Sequence, residues 1–157
     1  MTELDEKFMG LALEEAHMAS EHGDVPIGCI IVQSGNIIAA THNRVEIDQD
    51  STAHAEILAI REAQRSIGYK HLLDCDMYIT LEPCAMCAGA IVLSRVSRLF
   101  IATSDPKSGA CGSVMDITNN SQLNHRCEVH YGLYEAESSE LLKNFFKKIR
   151  ERNGRRS

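Results

Sequence analysis

Met77-Tyr78-Ile79-Thr80-Leu81-Glu82-Pro83-Cys84-Ala85-Met86-Cys87 is the stretch on which the reading of this chain turns. Residues 77–80 are apolar or β-branched and read as a short strand. Pro83 suits the first turn of a helix, where its missing N–H has no partner to lose, and Ala90, Ile91 and Leu93 continue that helix. A helix brings the sulfurs of Cys84 and Cys87 onto one face, because i and i+3 are neighbours there.

Working toward the N-terminus, residues 53–66 predict a helix carrying Ile57, Leu58 and Ile60, preceded by a polar, loop-like segment over 42–52. Two β-branched runs, 27–32 and 37–40, joined through Ser34-Gly35-Asn36, predict a β-hairpin. Residues 5–22 predict a helix with Phe8, Met9, Leu11, Ala12, Ala16 and Ala19 on one face. Thr2 and Asp5 form a capping-box pattern at its start, and Gly23 marks its end. Toward the C-terminus come a strand over 99–102, a Gly-containing loop over 104–115 and a strand over 127–131. A closing helix over 137–152 turns Leu141, Leu142, Phe145 and Phe146 inward. The order α-β-β-α-β-α-β-β-α predicts an α/β layered domain, a sheet covered by helices.

Length and composition fit one domain spanning residues 1–157, large enough to bury a core. No run of 18 apolar residues is present, and residues 1–7 are polar and acidic rather than basic and then apolar. The expectation is a cytoplasmic protein without a membrane span. In a reducing compartment six cysteines point to metal or catalytic use rather than disulfides. Cys29, inside an apolar run, reads as a small buried hydrophobe; Cys75, Cys111 and Cys127 carry no clear signal.

The net charge of −6 is unevenly spread. From residue 143 onward seven Lys/Arg face one acid (+6), whereas the first 142 residues hold nine against twenty-one (−12). This basic helix and tail, about 137–157, fits local phosphate binding. It also fits a solvated helix end whose cations complement the dipole.

The chemistry rests on His54-Ala55-Glu56 and Pro83-Cys84-Ala85-Met86-Cys87. Alone, a Cys-x-x-Cys is equally a redox dithiol or half of a structural zinc site. Both segments open helices, however, and a helix N-terminus stabilises the thiolates that ligation requires. His54, Cys84 and Cys87 give zinc three protein ligands, and an open fourth position for water marks a catalytic site. Zinc lowers the pKa of such water to roughly 7. Glu56, two residues past the histidine, reaches that water without needing to ligate, and can move its proton to a ring nitrogen and a leaving amine.

Taken with Val25-Pro26-Ile27-Gly28, His42-Asn43-Arg44, Thr52-Ala53-His54-Ala55-Glu56, the 105–116 loop from Asp105-Pro106-Lys107-Ser108 to Met115-Asp116, and Asn124-His125-Arg126, the chain resembles the bacterial tRNA-specific adenosine deaminases. Their zinc pattern, H-x-E…P-C-x-x-C, is shared with other nucleobase deaminases; the 105–116 loop and Asn124-His125-Arg126 are more particular to the tRNA enzymes. Small departures are Ser51, where proline is common, and Cys111, where alanine is common.

The resemblance implies a three-layer α-β-α cytidine-deaminase-like fold with a five-stranded mixed sheet. It implies one zinc ion per subunit and a homodimer that binds a tRNA anticodon stem-loop. The implied reaction converts wobble adenosine to inosine by zinc hydroxide attack on adenine C6, with Glu56 as proton shuttle. Asn43 and the backbone of Ala55 and Glu82 are implied to bind the base; Asp105, Lys107 and Ser108 are implied to bind flanking nucleotides.

Bland readings stand beside these. Asn43 after a strand favours a turn, and Asp105-Pro106 followed by Gly109 is itself a turn signal. His17, His22, His42, His71, His125 and His130 lack ligand-like spacing. Three rival functions remain open: a zinc deaminase of free cytosine, guanine or a nucleotide; a non-catalytic zinc protein; and a thiol-disulfide oxidoreductase using Cys84 and Cys87.

Overall fold

The computed structural model describes residues 1–156. Its element order is α1 (Glu3–Glu21), β1 (Gly28–Gln33), β2 (Asn36–His42), α2 (Val45–Asp48), α3 (Ala55–Ile67), β3 (Cys75–Leu81), α4 (Ala85–Leu93), β4 (Arg98–Thr103), β5 (Glu128–Tyr131) and α5 (Glu135–Arg156). Ser157, the last residue of the basic tail, lies outside the described residues.

The strands form one sheet in the order β2-β1-β3-β4-β5. β1 pairs antiparallel with β2 and β3, whereas β3-β4 and β4-β5 are parallel, so the sheet is mixed and five-stranded as expected. Side chains alternate across a strand, and that alternation sorts the core into two layers. Cys29, Ile31, Met77, Ile79, Leu99 and Ile101 face Ala55, Ala59, Ile60 and Ala63 of α3 and Ala88 and Ile91 of α4. Ile30, Val32, Tyr78, Phe100 and Ala102 face Phe8, Met9 and Ala12 of α1. The result is the three-layer α-β-α arrangement. Buried Cys75, Cys111 and Cys127 also join the α3–α4 side of the core.

Local chemistry explains the ends. Thr2 and Asp5 form the reciprocal capping box, at 2.9 and 3.2 Å. In the hairpin, Gln33 pairs with Asn36, leaving a two-residue turn of Ser34 (φ 51°) and Gly35 (φ 78°). Both residues are left-handed, the turn that matches the strand twist.

Three expectations need correction. The 42–52 segment is not wholly loop, because Val45–Asp48 forms α2. Its start is fixed by the buried carboxylate of Asp24, which accepts from Glu46 and Ile47 N–H at 2.7 and 3.2 Å. Pro83 is not in the first helical turn: Cys84 is extended (φ −74°, ψ 178°) and caps a helix that begins at Ala85. Phe146 does not point inward but is 43% exposed, while Leu142 carries the contact with the body. Among the described residues, no helix is long and apolar enough to cross a membrane.

Candidate metal centre and active site

β3 and β4 run parallel, so their C-terminal ends lie together, the edge where open α/β sheets place ligands. From that edge β3 passes through Glu82 and Pro83 to Cys84, the N-cap of α4, with Cys87 in the first turn. His54 holds the equivalent position before α3 in extended backbone (φ −74°, ψ 148°). His54 Nδ1 lies 3.6 Å from Cys84 Sγ and 3.4 Å from Cys87 Sγ.

Tetrahedral zinc, with bonds of about 2.3 Å to sulfur and about 2.05 Å to nitrogen, requires a separation of roughly 3.6 Å. The donor set therefore fits zinc in both type and spacing. Among the described residues this is the group whose donor atoms converge in this way, all within 4.8 Å. Cys87 is buried, whereas His54 and Cys84 are half-buried, so the cluster is closed behind and open in front.

The electrostatics follow from these contacts. Hydrogen bonds from Cys87 and His54 hold the Cys84 thiol down at about 3, a thiolate. Cys87 is pushed up by its bond to Cys84 and by burial, and His54 is raised by Cys84. Glu56, in the first turn of α3, is 4% exposed. Burial pushes its carboxyl up to about 7, near the value a proton carrier needs at neutral pH.

The remaining sequence-predicted residues surround this corner. Asn43 is buried; its N–H donates to Ile27 O at 3.0 Å, but its Oδ1 has no hydrogen-bond partner. Its segment runs beside the histidine, since Arg44 N–H donates to Ala53 O (3.0 Å) and Thr41 Oγ1 donates to Ala55 O (2.8 Å). Asp105 is half-buried and accepts from Lys107 and Ser108 N–H at 3.0 and 3.2 Å, leaving those two side chains exposed. A groove of about 640 Å³ between this turn and α5 includes Lys107, Ser108, Lys143, Phe146 and Arg150 in its lining.

The Glu82 side chain has a role that local sequence does not reveal. It is buried and accepts from Asp105 N–H (3.0 Å), Cys111 N–H (3.0 Å), Ser113 N–H (3.1 Å) and the Ser113 hydroxyl. A Cβ on Gly109 would stand 2.3 Å from that carboxylate, so a side chain there would push the Glu82 carboxylate out of this set of bonds. The available signals were an acid at a strand end and a glycine in the distant loop.

A family model described as MafB19-like deaminase matches residues 3–150. The tRNA-specific adenosine deaminase of Aquifex aeolicus is 50% identical over 145 residues, 92% of this chain and 95% of that protein. The chain belongs to the tRNA-specific adenosine deaminase family. A solved structure of the family, from work on A-to-I editing by tRNA:A34 deaminases at the wobble position of transfer RNA, superposes with a TM-score of 0.84. It is 45% identical and covers 87% of this chain and 99% of its own. Guanine deaminase from Bacillus subtilis is also similar, at 40% identity and a TM-score of 0.61, over 66% of each chain. The family resemblance read from the motifs is thus matched along nearly the whole length.

Proposed function

We propose that this protein hydrolyses the wobble adenosine of a tRNA anticodon to inosine at the corner formed by His54, Cys84, Cys87 and Glu56. The observation that carries the reading is a zinc-spaced His/Cys/Cys set, 3.4–3.6 Å from nitrogen to sulfur, beside a buried carboxyl. Its membership of the tRNA-specific family selects the substrate.

His54, Cys84 and Cys87 hold one zinc ion per subunit, which when bound supplies Lewis-acid activation of water. Glu56 takes a proton from water and delivers it to the purine ring nitrogen, then moves a second to the departing amine. A C6–O bond forms and the C6–N bond breaks, so adenosine and water give inosine and ammonia. Asn43 offers its unpartnered amide oxygen to the extruded base, and the backbone at Ala55 and Glu82 lines the same pocket. Asp105, Lys107 and Ser108 contact flanking nucleotides, and the adjoining groove offers Lys143 and Arg150 to phosphates.

An anticodon loop suits this site because an unpaired base costs little to extrude. The reading includes a single deaminase domain over residues 1–157, a homodimer binding the stem-loop, and work in the cytoplasm.

The test is an inosine assay on an anticodon stem-loop, with cytosine and guanine as competitors. Inosine forms in the stem-loop, free bases are untouched, and affinity falls as salt rises because phosphate contacts release counterions. Turnover of cytosine or guanine with the stem-loop left unedited would overturn the proposal.

A further inference from the structure

Glu82 grips the 105–116 loop from within the body, and a second side chain holds the same loop from β5. Tyr131 is the last residue of β5, whose parallel pairing with β4 carries its C-terminal end to the metal-corner edge of the sheet. Side chains alternate across a strand. His130 stacks on Phe100 on the α1 side, so Tyr131 turns to the α3–α4 side, where Cys111 is buried. There the Tyr131 hydroxyl donates to Cys111 O at 2.7 Å.

Both polar backbone groups of Cys111 are thereby held by side chains from elsewhere. Its N–H donates to Glu82 Oε2 at 3.0 Å, and its carbonyl accepts from Tyr131. Among the described residues no backbone N–H donates to that carbonyl, so the phenol supplies the bond that a buried C=O needs. Burial and the nearby Glu82 carboxylate raise the Tyr131 phenol, which keeps its proton, and its donor, at neutral pH. Tyr131 is itself anchored: it pairs with Ile101, and the Gly132 N–H donates to Ile101 O at 3.1 Å.

A fixed Cys111 steadies the turn just before it. Gly109 N–H donates to Asp105 O at 2.9 Å, and Gly109 O accepts from Val114 and Met115 N–H at 2.9 and 3.3 Å. Ala110 N–H donates to Pro83 O at 2.9 Å, beside Cys84. Through Gly109 and Ala110, a shift at Cys111 is passed to the Asp105–Ser108 turn on one side and felt against the metal corner on the other. We propose that Tyr131 is a positioning residue for substrate: its hydroxyl holds the loop so that the turn bearing Lys107 and Ser108 stands in register with the metal corner. The hold on the loop is a property of the protein itself; its consequence for RNA rests on the tRNA-editing reading. No proton or bond of the reaction passes through Tyr131, so its loss weakens substrate binding and spares the chemical step.

The test uses zinc-loaded wild-type protein, Tyr131→Phe and Tyr131→Leu. Hydrogen exchange is followed at the Gly112 and Val114 amides, which donate within the loop to Met115 O and Gly109 O. KM and kcat are measured on an anticodon stem-loop, with zinc content on the same samples. Tyr131→Phe keeps the ring and removes only the hydroxyl. Its two amides lose protection about fivefold, the scale of one hydrogen bond. KM rises by a similar factor, kcat stays within about twofold, and zinc content is that of the wild type. Tyr131→Leu, which also removes the ring, gives the same shifts or larger ones.

A Tyr131→Phe protein with wild-type protection and KM overturns the proposal whatever Tyr131→Leu does, because the ring alone would then hold the loop. Lost protection with KM unchanged, or with the whole loss in kcat, overturns the positioning of substrate. Should Tyr131→Leu fail to fold, Tyr131→Phe still decides. Lost protection in Tyr131→Phe, together with a wild type that edits no stem-loop, supports the hold and removes the tRNA reading instead.

Discussion

The metal corner and the 105–116 loop lie side by side, yet they are held by different means. His54 and Cys84 are extended residues set immediately before helices, and Cys87 lies in a first helical turn, so regular backbone places all three donors. The loop has little regular structure, only one isolated bridge between Cys111 and Asp116. It is instead knotted around the Glu82 carboxylate, with Gly109 pressed against it. The proposed metal donors are thus fixed locally, whereas the proposed substrate-facing loop is fixed by polar contacts from other parts of the chain.

The sharpest way to break the comparison is to remove a metal donor. Cys84→Ala loses zinc to background by metal analysis and loses inosine formation with it. Its loop keeps wild-type protection in hydrogen exchange, because Glu82 is untouched. Loosening of the loop in that variant would show that the two regions are held as one.

Glu82→Gln does the converse. It removes charge-assisted bonds to a buried acceptor and costs about 2–3 kcal/mol by urea unfolding. Zinc content stays at one per chain, and KM for the stem-loop rises more than kcat falls. Burial alone would raise Glu82, but the Ser113 hydroxyl and three backbone N–H groups outweigh it and lower its pKa. A lowered carboxylate stabilises the fold above its ordinary range, about pH 4.3, and that contribution is lost as pH falls through the folded value. Wild-type stability therefore drops more steeply in acid than that of Glu82→Gln. Equal slopes would contradict the knot.

The smallest effect is expected on the opposite face. Tyr78 donates to Asp5 Oδ1 at 2.6 Å, beneath α1 and far from either region. Tyr78→Phe costs about 1–2 kcal/mol in unfolding and leaves zinc content and stem-loop KM unchanged. A shift in either catalytic readout would mean that the two faces of the sheet are coupled.

The same contrast explains what was legible in the sequence. Strands β1 to β4 and helices α1, α3 and α4 show themselves through periodicity, and the donor set through short spacing at helix starts. α2 was hidden because its anchor is Asp24, more than twenty positions upstream of the N–H groups it accepts from. The role of Glu82 was hidden likewise, since its partners lie 23–31 residues away. Pro83 misled by its type: a proline that suits a first helical turn instead sits two residues before Ala85. Phe146 looked like core, but its place on α5 turns it toward a groove edge.

The central proposal is that Glu56 carries a proton beside a zinc ion that His54, Cys84 and Cys87 would hold. Zinc content and inosine formation measured on one sample of Glu56→Gln test it most directly. The prediction is one zinc per chain with inosine formation reduced about 10²-fold or more; a zinc-loaded Glu56→Gln that edits the stem-loop at the wild-type rate would contradict it.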